Sequence, residues 1–288
     1  MSVRLIESLS TTEPLAEVFS DFSVLQAMLD FEVALARAEA ELKIIPEGAA
    51  RAIAAAGRSP NGYDVELLAR GALRGGTLTI PFVKAFRQRV QQQSPAAADF
   101  VHWGATSQDV SDTALVLLLK KSAKSLDADL ARLQKALRSL AEKHKKTIMM
   151  GRTLLQPAPP ITFGLKAAGW LGSVQRGRTR LDAAFSEALV LQFGGASGTC
   201  AALGNHGIQV GELVAKKLKL AYPEAPWHTH RDRMAALVCA CGVLTGSLGK
   251  MARDISLLMQ AEVGEVTEPG GGGRGGSSTM PQKRNPIA

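Results

Sequence analysis

The sequence predicts a mainly α fold: a small N-terminal helical unit followed by a bundle of long helices. Three observations carry that expectation. Apolar residues make up 46% of the chain but aromatics only 5%, and alanine and leucine enter helices at little cost while aromatics favour strands. From Val110 to Lys146 the apolar positions Leu119, Leu126, Leu130, Leu133, Leu137 and Leu140 recur mostly at spacings of three and four, the stripe of a bundle helix. Polar stretches rich in glycine or proline separate the long periodic segments, as the turns of a bundle do.

Taken in order, residues 15 to 58 read as helices, with Leu25, Met28, Leu29, Val33, Ala36, Ala40 and Leu42 at helical spacing. Pro46 suits the first turn of the next helix. "GRSPNGYD" breaks the pattern, and a shorter helical region follows with "GGTLTIPFVKAF" as its irregular middle. Residues 1–100 thus form the N-terminal unit and residues 101–288 the long-helix bundle. The leucine-striped helix spans roughly 50 Å at 1.5 Å per residue. A second long helix is expected after the prolines of "GRTLLQPAPP", a third after "GGASGTCAALGN" and a fourth from Arg231 through Glu265. No strand-rich region is expected.

The net charge of +8 and pI near 9.6 fit a nucleic-acid partner, a small polyanionic substrate, or solubility alone. No basic run exceeds a few residues; "KHKK" (Lys143 to Lys146) reads as the last turn of a helix. Nothing resembles an RNA or DNA module. No stretch reads as a signal peptide or a membrane span. Cys200, Cys239 and Cys241 make an odd set, and the C-x-C lies in an apolar run. Buried thiols are expected there rather than a disulfide or metal site, and the default setting is a reducing cytoplasm.

Three polar segments at helix ends carry the candidate chemistry: "GATSQD" (Gly104 to Asp109), "GRTLLQPA" (Gly151 to Ala158) and "GGSSTMPQKRNP" (Gly275 to Pro286). Each has a structural explanation by itself. Thr106, Ser107 and Asp109 can cap the following helix. Arg152 and Thr153 can close one helix and begin another, and the glycine run can be a linker. Gly271-x-Gly273-x-x-Gly276 matches the dinucleotide fingerprint by letters only, because a helix rather than a strand precedes it and no G-K-[ST] follows.

Together the three segments say more. "GSSTMPQKRNP" (Gly276 to Pro286) resembles the signature of the fumarase/aspartase superfamily. "GATSQDVSDTA" and "GRTLLQPAPPITFG" resemble its other two motif regions, in the right order. "EVALARAEAELKIIPEGAA" is similar to the start of adenylosuccinate lyase-like members. The resemblance implies an L-aspartase-like fold and homotetramers with a central bundle. It also implies active sites shared between three subunits, and elimination or addition next to a carboxylate without a metal or organic cofactor. Ser277 matches the serine that exchanges the proton on the carbon beside the carboxylate, a role that needs activation by its surroundings. Lys283 and Asn285 match groups that hold the carboxylate and stabilise the aci-carboxylate. Thr106, Ser107, Thr153 and Gln156 match substrate-binding positions. The glycine stretch then reads as a catalytic lid.

One departure narrows the choice. Many members carry histidine after "GRT", where this chain has Leu154, and no histidine occurs in "GGTLTIPFVKAF". The 3-carboxy-cis,cis-muconate cycloisomerases are similar in lacking the first of these and in carrying strings like "HWGATSQD", "IPFVKA" and "PWHTHRDR". Lactonisation uses a nucleophile already anionic at pH 7 and tethered to its target, so the missing acid is tolerable. A tricarboxylate substrate calls for cations: Arg152, Arg231, Lys283 and Arg284 are candidates. Arg231 and Arg233 are also expected to include an ion pair with Asp232 or another carboxylate. His228 is a substrate contact or a structural residue, and His102 a packing residue. An amidine or succinyl-type lyase and an inactive structural relative stay open. Relatives of this kind continue beyond the position of Ala288 into a further bundle helix and often a small C-terminal domain.

Overall fold

Helical segments, two of them closed by side-chain caps, build the first of two compact units, Met1–Leu126 with Phe185–Met234. The computed structural model describes residues 10–269 and 274–285, so Gly271 and Gly273 of the glycine run and Pro286 of the signature lie outside the described residues. Helices α1 (Glu13–Val18), α2 (Asp21–Glu41), α3 (Glu47–Ala56), α4 (Val65–Gly75) and α5 (Thr79–Gln93) follow in order. The Ser20 hydroxyl accepts from Ser23 N–H at 3.2 Å to cap α2, and Asp64 accepts from Leu67 N–H at 2.9 Å to cap α4. Phe31, Phe82, Phe86 and Phe193 are almost wholly buried with Leu29, Leu35 and Ile53. Each such side chain contributes about 1.5–3 kcal/mol by leaving water. Helix α6 (Ser107–Lys143) begins in this unit, and α8 (Gly207–Leu218) packs on α2.

The second unit comprises Asp127–Ala184 and Ala235–Ala288. It holds the remainder of α6, a hairpin of β1 (Ile148–Thr153) and β2 (Gln156–Thr162), most of α7 (Phe163–Ala188) and most of α9 (Asp232–Leu258). Leu130, Leu137, Trp170, Val174, Leu181 and Leu244 are buried. Trp170 Nε1 donates to Asp254 Oδ2 at 2.8 Å, satisfying the polar end of a buried indole. Arg178 of α7 donates to Gln134 Oε1 at 2.8 Å and from Nε to Asp127 at 2.9 Å on α6.

The long helices match expectation at α6, α7 and α9, of 37, 26 and 27 residues. Four details differ. Arg152 and Thr153 neither close nor begin a helix; they lie on β1, because Pro157, Pro159 and Pro160 bar a helix while the backbone of 148–162 pairs as an antiparallel ribbon. The helix after "GGASGTCAALGN" is 12 residues long and stops at Lys219, whose backbone is left-handed. "GGTLTIPFVKAF" is helical from Thr79, with Pro81 in the first turn where proline is tolerated. All three cysteines are free, but Cys239 is exposed on α9 rather than buried. That helix has the length and apolar composition of a membrane span, with 11% of its most apolar window buried in this chain.

Candidate active site

In the first unit the motif around Thr106 is organised by one buried carboxylate. Thr106 N–H donates to Asp109 Oδ2 at 3.0 Å, the backward half of a capping box at the start of α6. The same carboxylate, fully buried, accepts from Gly195 N–H at 2.9 Å, Gly194 N–H at 3.0 Å and Gln192 Nε2 at 3.0 Å. Burial raises the Asp109 pKa, and these four donors oppose the rise. Gly195 has φ +65°, and a Cβ there would lie 2.8 Å from the Gly104 carbonyl oxygen, so only glycine lets the two strands of loop meet. Ser107 contributes its carbonyl, which accepts from the Thr79 hydroxyl at 3.1 Å.

Gln192 links this motif to the segment before α9. Its Oε1 accepts from Trp227 N–H at 2.8 Å, and its Nε2 lies 3.5 Å from His228 Nδ1. His228 therefore sits four residues ahead of α9, on a loop held by Gln192 rather than on the helix. Arg231 donates to Asp112 through both terminal nitrogens, at 2.6 and 3.0 Å, and lies 5.0 Å above the Trp227 ring. Asp112 is buried and also accepts from Gln108 at 2.8 Å. The ion pairs expected of Arg231 and Arg233 are thus to Asp112 and Glu224. His102 has φ +63° and meets buried Glu32 at 2.6 Å, the hydrogen-bonded packing role expected of it.

In the second unit Thr153 pairs with Gln156 across a two-residue turn. The turn residues Leu154 and Leu155 both have positive φ, 49° and 65°, and Leu154 is 96% exposed. Arg152 forks onto Glu265, at 2.8 and 3.2 Å. That hydrogen bonding raises the guanidinium pKa and holds the Glu265 carboxyl below its usual range. In the signature loop Ser277 Oγ accepts from Met280 N–H at 3.0 Å and Thr279 N–H at 3.3 Å. Lys283 and Arg284 project exposed side chains. Asn285 turns its amide to the loop itself, donating from Nδ2 to the carbonyls of Gly275 and Gly276 at 3.4 and 3.3 Å.

The first unit thus gathers Thr106, Ser107, His228 and Arg231 around Asp109, Gln192 and Asp112. The second places Arg152, Thr153 and Gln156 on one hairpin, and Ser277, Lys283 and Asn285 on one loop. Gln192, Asp112 and Glu265 were not singled out beforehand. Gln192 had a signal, being the lone polar residue of "ALVLQFGG", and Asp112 lies inside "GATSQDVSDTA"; Glu265 had none. Among the described residues no three His, Cys, Asp or Glu side chains converge as a metal site.

Long helices with polar motifs at their ends, one of them a serine loop, define a lyase-type scaffold of the fumarase/aspartase superfamily. The lyase family profile matches residues 7–288, and the chain belongs to that family. It is 53% identical over 268 residues to a 3-carboxy-cis,cis-muconate cycloisomerase of Bradyrhizobium diazoefficiens, covering 93% of this chain and 59% of that protein. It is 50% identical to the Pseudomonas aeruginosa protein of the same name, covering 99% and 62%. The crystal structure of 3-carboxy-cis,cis-muconate lactonizing enzyme from Pseudomonas putida superposes with a TM-score of 0.92 at 48% identity, covering 98% of this chain and 62% of that one. The chain therefore spans about 60% of the length of these relatives.

Proposed function

We propose that this chain carries the catalytic motifs of a 3-carboxy-cis,cis-muconate cycloisomerase acting in protocatechuate breakdown, the beta-ketoadipate pathway. Its identity to relatives of that name, together with leucine in place of an acid at the hairpin tip, is the observation that carries the reading. One substrate carboxylate oxygen adds to a ring-closing carbon of the diene. The electron pair moves toward the neighbouring carboxylate, and the Ser277 hydroxyl delivers its proton to the carbon beside that carboxylate. The resulting serine alkoxide is stabilised by the Thr279 and Met280 amides, which already point at Oγ. A water or a loop group then reprotonates it.

Lys283 supplies the charge that stabilises the aci-carboxylate, and Thr106, Ser107, Thr153, Gln156 and His228 contact the substrate. Asn285 holds the loop and joins the carboxylate contacts when the lid closes. Arg152 and Arg231 act as cations already balanced by Glu265 and Asp112, so they orient the site more than they add net charge. No cofactor or metal takes part. The enzyme is a cytoplasmic homotetramer, which would cover the exposed apolar face of α9 with copies of the same helix.

The test is the ultraviolet absorbance of 3-carboxy-cis,cis-muconate incubated with the protein, with Ser277→Ala alongside. Loss of the conjugated-diene signal, abolished by the substitution, is expected. No loss from a folded, tetrameric preparation would remove this substrate and turn attention to adenylosuccinate and argininosuccinate, read by fumarate release.

A further inference from the structure

A cleft of about 1060 Å³ opens in the first unit between the end of α2 and α3, far in sequence from the three polar motifs of the candidate active site. Arg37, Lys43, Arg51 and Arg58 line it together with Glu41 and Glu47. Both acids are already neutralised: Glu41 accepts from Lys217 at 2.6 Å and Glu47 from Arg51 at 2.6 Å. Among the described residues Arg37, Lys43 and Arg58 form no ion pair, so three uncompensated cations face one concavity. Like charges brought together without a counter-charge repel, and an anion relieves that repulsion.

The backbone gives a second, independent sign. The end of α2 is a Schellman turn: Ile44 N–H donates to the Glu39 carbonyl at 2.8 Å and Lys43 N–H to the Ala40 carbonyl at 3.0 Å. Lys43 occupies its left-handed position, with φ 60°. Glycine is the default there, because a Cβ is strained in that conformation. A lysine in this place keeps a local cost and gains an ammonium at the lip of the cleft, the kind of local rule-breaking that function explains. Three residues on, the position capping α3 is Pro46, which supplies no side-chain cap to the positive end of that helix.

We propose that this cleft is an anion site, separate from the candidate active site, for a compact polyvalent oxyanion: a phosphate group or a di- or tricarboxylate. Three cations lining one cleft select charge and size over shape, since lysine acts as a point charge while the two arginines can fork onto paired oxygens. The proposal stands independently of the cycloisomerase reading.

The experiment titrates the 288-residue chain with inorganic phosphate and with citrate at constant ionic strength, by calorimetry and by Tm. Saturable binding of one or both is expected, weakened at least tenfold in Arg37→Ala/Arg58→Ala and unchanged in Lys283→Ala. Preference for phosphate points to a phosphorylated ligand, and preference for citrate to a polycarboxylate. Lys43→Gly separates site from scaffold: it should weaken binding while holding or raising the Tm of the free protein, because it relieves the left-handed strain. Absence of saturable binding overturns the proposal. So does binding that survives the double substitution, or binding lost with Lys283.

Discussion

Asn285 closes the signature loop on Gly275. Its backbone N–H donates to the Gly275 carbonyl at 2.8 Å, while its side-chain amide reaches the same oxygen and that of Gly276. The nine residues between, Ser277 and Lys283 among them, are therefore a loop with a fixed neck. Gly275 has φ +65°, and an added Cβ would lie 2.4 Å from the Asn285 carbonyl oxygen.

Gly275→Ala should break that neck. The left-handed backbone costs about 1–2 kcal/mol with a side chain, and the contact with Asn285 forces the two segments apart. If Ser277 takes the proposed role, displacing it by roughly 1 Å costs on the order of 100-fold in turnover. Steady-state kinetics should show that loss, while the Tm moves by less than about 3 °C because the loop is exposed. A variant with full turnover would mean that the neck does not position Ser277.

Gln192→Leu should destabilise the first unit. The substitution leaves the buried Trp227 N–H without its acceptor and removes one of four donors from Asp109. Each buried orphan costs about 1–3 kcal/mol, so urea unfolding should report a loss of roughly 3 kcal/mol. Gln192→Glu is the sharper probe. It sets a second carboxylate against Asp109, raising one pKa of the pair, so its deficit should shrink as pH falls from 7 toward 5. A pH-independent deficit would mean that the two carboxylates do not meet.

The pH dependence of stability follows from groups buried in the same unit. Glu39 is wholly buried, neither of its carboxyl oxygens has a hydrogen-bond partner, and burial, then Glu32, push its pKa to about 9. An acid whose folded pKa lies above its unfolded value supports the fold fully below the unfolded value of 4.5 and loses that support as pH rises toward 9. His102 acts in the same direction: burial lowers its pKa, but the charge and hydrogen bond of Glu32 outweigh that and the net change is upward. Its contribution is present at low pH and fades as pH rises through the folded value. Wild-type protein should therefore lose stability steadily between pH 5 and 9, and Glu39→Met should flatten that slope by roughly 1 kcal/mol per pH unit. Parallel slopes for the two proteins would show that Glu39 ionises normally.

Much of the helical frame was legible because its signals are local. The leucine stripe of α6 repeats within a few residues, and the caps at Ser20 and Asp64 lie three residues from the amides they serve. The organising contacts of the candidate site are not local. Arg231 and Asp112 lie 119 positions apart, Gln192 and Asp109 lie 83 apart, and no period in the chain announces such a meeting. The hairpin was hidden for another reason. Two-residue turns usually declare themselves by Asn-Gly or Asp-Gly, and here the turn is Leu154-Leu155 with a proline-rich strand after it.

That turn carries its own prediction. Both leucines are left-handed and both are exposed, so each holds a strained backbone without burying its side chain in this chain. Leu154→Asn with Leu155→Gly should relieve about 1–2 kcal/mol and raise the Tm by a few degrees, judged by circular dichroism on a preparation held monomeric by dilution. In the proposed tetramer the outcome should reverse if a neighbouring subunit covers the tip: apolar contact worth about 25 cal/mol per Å² is then lost, and the variant should dissociate at higher protein concentration than wild type. Sedimentation across a dilution series reads both arms. A raised Tm together with unchanged dissociation would mean that no subunit contact uses the leucines, and comparing turnover of 3-carboxy-cis,cis-muconate by the variant and wild type would then test whether they serve the proposed reaction.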